Sequence, residues 1–328
     1  MINEVLTNSV WLDPQINFLL MLQNIRLSLG SGIENFFFSL TVMGEFLFPT
    51  LVMSVIYWCI DTSVGLLLFI SNSLSLAMIQ VLKMSACVYR PWILSDKLSP
   101  PQMALKTAES YSFPSGHSIM AASLWGAIAY ILRHKVWACV LLISFVILIG
   151  FSRCYLCVHT PQDVVIGLFA GILLIFCAVK LIDWCNKDKK RFLYIFGFGN
   201  FILFIILFWV LKKHYPIDYY DGKILVNPIK AVYISVIYIA WVAGMFNGAI
   251  LCKRFLNYDA QKGSIKAKII RGLLGALTFS GLFYVIENYF LHSVQDYKLA
   301  FMMMIFTGFY ITLIYPYIIM KLQKYIDI

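Results

Sequence analysis

Lysine, arginine, histidine and aspartate stand where apolar runs of this 328-residue chain end, and their spacing outlines a place for an anion. Lys83 and Arg90 are seven residues apart, two helical turns. A helix continued to Arg90 and ended by Pro91 therefore projects both cations from one face. The segment Ser112-Phe113-Pro114-Ser115-Gly116-His117 opens a further apolar run. It sets the unpaired amides of a helix N-terminus beside a hydroxyl and an imidazole, an arrangement suited to phosphate, and Gly116 lets backbone approach closely. In Ser152-Arg153-Cys154-Tyr155-Leu156-Cys157-Val158-His159-Thr160-Pro161-Gln162-Asp163, Thr160 and Pro161 read as N-cap and first helical residue. His159 then lies just outside the helix with Asp163 about one turn on. The carboxylate can accept one imidazole N–H and leave the other nitrogen as a lone-pair nucleophile.

The elements that must position these residues are membrane helices. The chain is 61% hydrophobic and 13% charged, and its mean hydropathy is strongly positive. A water-soluble domain of this size does not tolerate such a surface. Apolar runs fall at about residues 45–61, 64–89, 115–133, 136–153, 161–180, 192–211, 230–252, 271–292 and 298–320, most near the ~20 residues that cross a bilayer. Residues 33–44 are apolar too, so an earlier start of the first span, or a tenth span, stays open. Asp13-Pro14 starts a helix over residues 15–29 that mixes Leu and Phe with Gln23, Asn24 and Arg26, as an interfacial anchor does. Glu4 and the lack of a basic leader argue against a cleaved signal peptide. The expected fold is all-α, a polytopic transmembrane helix bundle of about nine spans with an N-terminal interfacial helix. Residues 1–44 form the amphipathic N-terminal region, 45–211 a core carrying the chemistry, and 212–328 additional C-terminal spans.

The formal charge of +10 does not point to nucleic acid, because the basic residues cluster in turns between apolar runs. Alternating nine spans puts 15 Lys and Arg on one side and 8 on the other, with Arg90 and Arg153 set aside as site residues. The excess is clearest in the turns holding Lys187, Lys189, Lys190 and Arg191 and then Lys253 and Arg254. By the positive-inside rule that side is cytoplasmic, and loops 90–114 and 154–160 face outward.

Taken in order, Lys83-x6-Arg90-Pro91, Pro114-Ser115-Gly116-His117 and Ser152-Arg153-x5-His159-x3-Asp163 resemble the three signature motifs of the type 2 phosphatidic acid phosphatase family, without departure, over about residues 45–211. The resemblance implies that His159 attacks phosphorus to form a phosphohistidine, that Asp163 orients it, and that His117 protonates the leaving group. It also implies that Lys83, Arg90 and Arg153 hold the phosphoryl oxygens, with Ser115 and the Gly116 amide assisting. No metal or other cofactor is implied. The implied substrate is a membrane lipid phosphate or diphosphate that need not leave the bilayer, handled at the extracytoplasmic side, of the cell membrane if the host is bacterial. The family also holds lipid phosphotransferases, which these motifs do not separate from hydrolases, and soluble vanadate-dependent haloperoxidases, which the hydropathy disfavours. A reading of another class is a lipid-binding or transport protein in which residues 230–320 do the work and the pocket is retained.

Other residues have blander readings. A lone span-edge Lys is ordinarily a snorkelling anchor, and it is the register with Arg90 that changes this for Lys83. Eight cysteines are scattered mainly through apolar stretches, as small hydrophobes are. Cys154-x-x-Cys157 with His159 resembles part of a zinc cluster, but no second pair lies near it and the stretch reads as a turn; a Cys154–Cys157 disulfide stays open. Glu45, at the head of the first span, and Glu287 with Asn288, inside the eighth, are expected to pair internally, to contact substrate or to set a lateral gate.

Overall fold

The computed structural model describes residues 12–220, 222–256, 258–288 and 297–323; Glu4, residues 289–292 of the eighth expected span and Lys324 lie outside them. The described chain is about 80% helical, and its strands are a short antiparallel hairpin of β1 (Tyr219–Tyr220) and β2 (Lys223–Ile224). It forms two compact units, one of residues up to 48, 81–173 and 214–231, the other of residues 49–80, 174–213 and 232 onward.

Among the described residues, seven helical runs are long and apolar enough to cross a membrane, or eight if Ser31–Val42 and Leu47–Ile60 form one span bent at residues 43–46. The remaining expected span is the helix over residues 116–131, built from segments of 6, 5 and 5 residues. At ~1.5 Å per residue it is about 24 Å long, short of the ~30 Å hydrocarbon core, so nine spans is an approximation. The early apolar stretch is resolved as the first limb of the bent pair.

In the first unit, α1 (Asp13–Leu29) starts with Pro14 in its first turn and stops at Gly30, whose φ of +76° few residues other than glycine accept. α2 (Ser31–Val42) follows directly. Leu19 and Leu22 of α1 pack with Leu98, Cys154, Cys157 and Val164. The polar residues of α1 do not all face outward as an interfacial helix would have them. Gln23 and Arg26 are buried. The Gln23 amide donates to the Lys97 carbonyl (2.9 Å) and accepts from the Ser99 amide (2.6 Å), and Arg26 donates to the Ser99 carbonyl. A loop tucked against protein needs donors for its carbonyls, and this helix supplies them.

Two helices of this unit meet through bare backbone. A Cβ on Gly167 of α9 (Pro161–Asn186) would lie 2.8 Å from the Ser115 carbonyl oxygen, and one on Gly171 would lie 2.6 Å from the Ala122 Cβ. The helix over residues 116–131, α7, therefore lies directly along α9, as small residues four apart allow in membranes.

The second unit uses the same device. α11 (Pro228–Leu256) carries Gly244 and Gly248; their Cβ positions fall 2.1 Å from the Ile305 carbonyl oxygen and 2.1 Å from the Thr312 hydroxyl of α13 (Tyr297–Leu322). Beside them the Trp58 indole, over Gly275 of α12 (Ile265–Ile286), donates to the Ile311 carbonyl at 2.7 Å. Arg271, read from sequence as a cytoplasmic-side charge, is buried and donates to the carbonyls of Ala260 (2.9 Å) and Lys262 (3.3 Å). Arg26 is likewise buried. Among the described residues, Glu287 and Asn288 do not show the internal pairing that is one of the roles expected of them. They follow the last residue of α12, both exposed, and the Asn288 amide turns back to the Tyr284 carbonyl (2.8 Å).

These glycines generate a direct test. Gly171→Leu and Gly248→Leu should each lower the thermal unfolding midpoint of the solubilised protein, by the ~1–3 kcal/mol typical of overpacking. Gly197→Leu, where nothing lies within 4 Å, should not. Equal midpoints for all three would refute close backbone contact at Gly171 and Gly248.

Candidate active site

The site is assembled from helix ends of the first unit. α4 (Thr62–Ala86) stops before Arg90. Cys87 takes a left-handed conformation (φ 49°), and its amide closes the last turn on the Lys83 carbonyl at 3.0 Å. Arg90 is extended (φ −71°, ψ 152°), as a residue before proline prefers, and Pro91 begins the short α5 (Pro91–Leu94) instead of ending α4. The expectation that Lys83 and Arg90 share one helix face is thus corrected. They converge because both hold the same loop. Lys83 Nζ donates to the carbonyls of Tyr111 (2.5 Å) and Ser112 (3.2 Å), and Arg90 Nε donates to that of Ser110 (2.8 Å).

α8 (Val136–Tyr155) ends in a Schellman turn. The Val158 amide returns to the Arg153 carbonyl (3.0 Å), the Cys157 amide to the Cys154 carbonyl (2.9 Å), and Cys157 takes the left-handed position with φ 56°. Cys154 and Cys157 are free thiols across this turn. Two residues on, α9 begins with a reciprocal cap. The Thr160 hydroxyl accepts the Asp163 amide (3.3 Å), and Asp163 Oδ2 accepts the Thr160 amide (3.0 Å). His159 is held between the stop of one helix and the start of the next.

The carboxylate that caps α9 also faces His159. Asp163 Oδ2 lies 3.3 Å from Nδ1 of His159 and accepts the Ser112 hydroxyl at 2.6 Å. On the other side of the ring, Nε2 is 2.8 Å from Nη1 of Arg90, which also donates to the Val158 carbonyl at 2.9 Å. A guanidinium can only donate, so Nε2 must present its lone pair and the proton must sit on Nδ1, toward Asp163. Burial, then the charges of Arg90, Lys83 and Arg153, hold His159 well below the ordinary histidine pKa. The ring is thereby biased to the neutral form, with its Nε2 lone pair turned to Arg90.

Ser115 caps α7. Its hydroxyl accepts the Ser118 amide (3.3 Å) and the Ser118 hydroxyl (2.8 Å), and its own amide donates to the Asp163 carbonyl at 3.0 Å. That last bond ties the start of α7, with Gly116 and His117, to the start of α9. Arg153 is wholly buried; its guanidinium donates to the hydroxyls of Thr41 (2.5 Å) and Thr107 (3.5 Å). His117 Nε2 stands 3.7 Å from Glu45 Oε1. Every residue expected from the motifs lies in this unit. Sequence reasoning assigned nothing to Ser112, although it lay inside a quoted motif, and it missed Thr41 and Thr107, single threonines that carry no pattern.

The tautomer is open to measurement. In protein with 15N-labelled histidine, one ring should stay in the neutral Nδ1–H form as pH falls through ~6.5, the unperturbed histidine value, and its signal should be missing from His159→Ala. A His159 ring that protonates at the ordinary pH would contradict the geometry.

Comparison with known proteins bears on the same segments. Residues 63–187 match the family model described as PAP2 superfamily, and residues 236–325 match the one described as PAP2 superfamily phosphatase, transmembrane extension. A phosphatidylglycerophosphatase B of Bacillus subtilis is 35% identical over 113 residues, 32% of this chain and 53% of that protein. An undecaprenyl-diphosphatase of Sulfolobus acidocaldarius is 29% identical over 118 residues, 36% of this chain and 55% of that protein. The chain thus spans about half the length of these curated relatives, and no solved structure matches it significantly. The chain thus matches two models of the PAP2 superfamily in order, the superfamily domain over residues 63–187 and its transmembrane extension over residues 236–325, and the residues of all three motifs lie in one unit.

Proposed function

We propose that this protein is an integral-membrane phosphatase that hydrolyses a lipid phosphate monoester or a lipid or polyprenyl diphosphate through a phosphohistidine on His159, without a metal. The observation that carries the reading is the buried His159 ring, with Asp163 on Nδ1 and a lone pair on Nε2 beside Arg90. The names of the relatives, a phosphatidylglycerophosphatase and an undecaprenyl-diphosphatase, support a phosphorylated lipid as substrate.

Phosphoryl transfer asks mainly for positioning and for charge stabilisation at the equatorial oxygens. Lys83, Arg90 and Arg153 supply three positive charges, and the amides at the start of α7 add dipoles. Arg90 has a second part in this account. Its Nη1 hydrogen occupies the Nε2 lone pair, so a bound phosphoryl group must draw that donor onto its own oxygen before Nε2 can attack. Binding and unmasking of the nucleophile then become one event. Nε2 bonds to phosphorus, the phosphorus–oxygen bond to the lipid breaks, and His117 gives a proton to the departing oxygen. Water then attacks the phosphohistidine, returning its proton to His117. The excess of Lys and Arg in the opposite turns supports an extracytoplasmic site, and a bacterial host would place the protein in its cell membrane.

The test is phosphate release by the purified, detergent-solubilised protein in excess EDTA, across a panel of lipid phosphates and diphosphates. Wild-type protein should release phosphate, His159→Ala should fall to background, and Asp163→Asn should keep a residual rate. His117→Ala should slow alkyl monoesters by roughly 10²–10⁴-fold, the usual worth of a general acid, and substrates with good leaving groups much less. Release that survives in His159→Ala would remove the phosphohistidine. Absence of release from every lipid by folded protein would favour phosphotransfer or lipid binding.

A further inference from the structure

The bend between α2 and the helix Leu47–Ile60 belongs to none of the three motifs, yet it approaches two of their residues. The Gly44 amide bonds to the Thr41 carbonyl (2.9 Å) and the Glu45 amide to the Val42 carbonyl (3.0 Å), which carries the helical turn past Val42. Thr41 takes a hydrogen bond from Arg153, and Glu45 Oε1 comes within 3.7 Å of His117 Nε2. Between them Gly44 leaves no room for a side chain. A Cβ there would lie 3.0 Å from Ile149 Cγ2 and 3.4 Å from the His117 carbonyl oxygen, so bare backbone lets the bend seat against His117. The Glu45 oxygen and the His117 nitrogen that face each other are both buried and have no hydrogen-bond partner.

We infer that Glu45 is a positioning residue for the general acid: its carboxylate holds His117 as an imidazolium, through Nε2, ready to protonate the leaving oxygen. The inference rests on the phosphatase reading above and adds a residue to it. The charged and titratable groups around His117 are Arg153 from α8, Arg90 from the linker before α5, His159 from the turn before α9, and Glu45. All but Glu45 are cationic or able to become so, and they repel a proton on His117. The site thus holds two histidine–carboxylate pairs with opposite tasks. Asp163 orients a ring that must stay neutral to attack, whereas Glu45 favours the charged form of a ring that burial and then Arg153 push toward neutrality, and that must give a proton away. Glu45 takes up no proton in either step. The proton passes from His117 to the lipid oxygen when the phosphorus–oxygen bond breaks, and returns to His117 from the water that cleaves the phosphorus–nitrogen bond.

The experiment compares wild type, Glu45→Gln and Glu45→Asp on a long-chain alkyl phosphate and an aryl phosphate in mixed micelles, with kcat/KM followed against pH. Glu45→Gln should lose roughly 10- to 100-fold on the alkyl ester and less than about threefold on the aryl ester, whose oxygen leaves without help. The alkaline limb of its alkyl profile should move to lower pH, and Glu45→Asp should restore part of the loss. Equal losses on both esters, or an unmoved alkaline limb, would overturn the inference. If Glu45→Gln does not fold, Glu45→Asp decides: a loss confined to the alkyl ester supports the role, and a uniform loss or none refutes it. Wild-type protein that hydrolyses neither probe would overturn the phosphatase reading itself, and this inference with it.

Discussion

Three cations have to be taken out of water at the helix ends of this protein. Lys83, Arg90 and Arg153 are 8%, 4% and 0% exposed. Removing an ion from water costs several kcal/mol even after the protein relaxes around it. The fold answers with oriented dipoles. Lys83 and Arg90 hold backbone carbonyls at residues 110–112 and 158, and Arg153 holds two threonine hydroxyls. Satisfying the cations and shaping the loops are therefore one process. Carbonyls and hydroxyls carry no net charge, and the carboxylates of the site, Asp163 and Glu45, do not balance three positive groups. An excess of positive charge suits such a site to an anion.

Placement of His159 follows from two helix-capping rules meeting in sequence. α8 closes with a left-handed residue, and α9 opens with a threonine and an acid that cap each other. His159 falls in the short stretch between them, where the backbone has little freedom left. Asp163 serves the cap through the same oxygen that orients the imidazole, and Ser112 fixes that oxygen from a third direction. A carboxylate with three donors around it is poorly placed to rotate, which is the preorganisation that charge stabilisation in a transition state requires.

Glycine spacing brings the helices near enough for these bonds to form. Gly167 and Gly171 let α7 lie along α9, so that Ser115 reaches the Asp163 carbonyl and His117 is carried into the site. Gly244 and Gly248 bring α11 equally close to α13 in the second unit. Lipid is as apolar as the helices, so close van der Waals contact, not exclusion of water, holds such pairs together.

The sequence by itself determined that the chain is a helical membrane protein, because hydropathy is summed residue by residue and needs no partners. It also singled out the ionisable side chains that the structure gathers in one unit, because such residues among apolar spans are costly enough to be informative one at a time, and because Thr160-x-x-Asp163 and Pro114-Ser115-Gly116-His117 act within a single turn. Tertiary structure decided how the cations meet. Register along a helix brought Lys83 and Arg90 to the right region for a reason that does not operate, since α4 ends at Ala86 and shared loop carbonyls make the convergence. It also decided that Gln23, Arg26 and Arg271 face inward, and that Ser112, Thr41 and Thr107 belong to the site. Those assignments depend on which loop lies opposite which helix, and such contacts, between residues 73 or 112 positions apart, leave no local trace in the chain. Glu45 stood between the two: its cost in an apolar run was legible, but its partner was not, because only the bend at Gly44 brings it to His117.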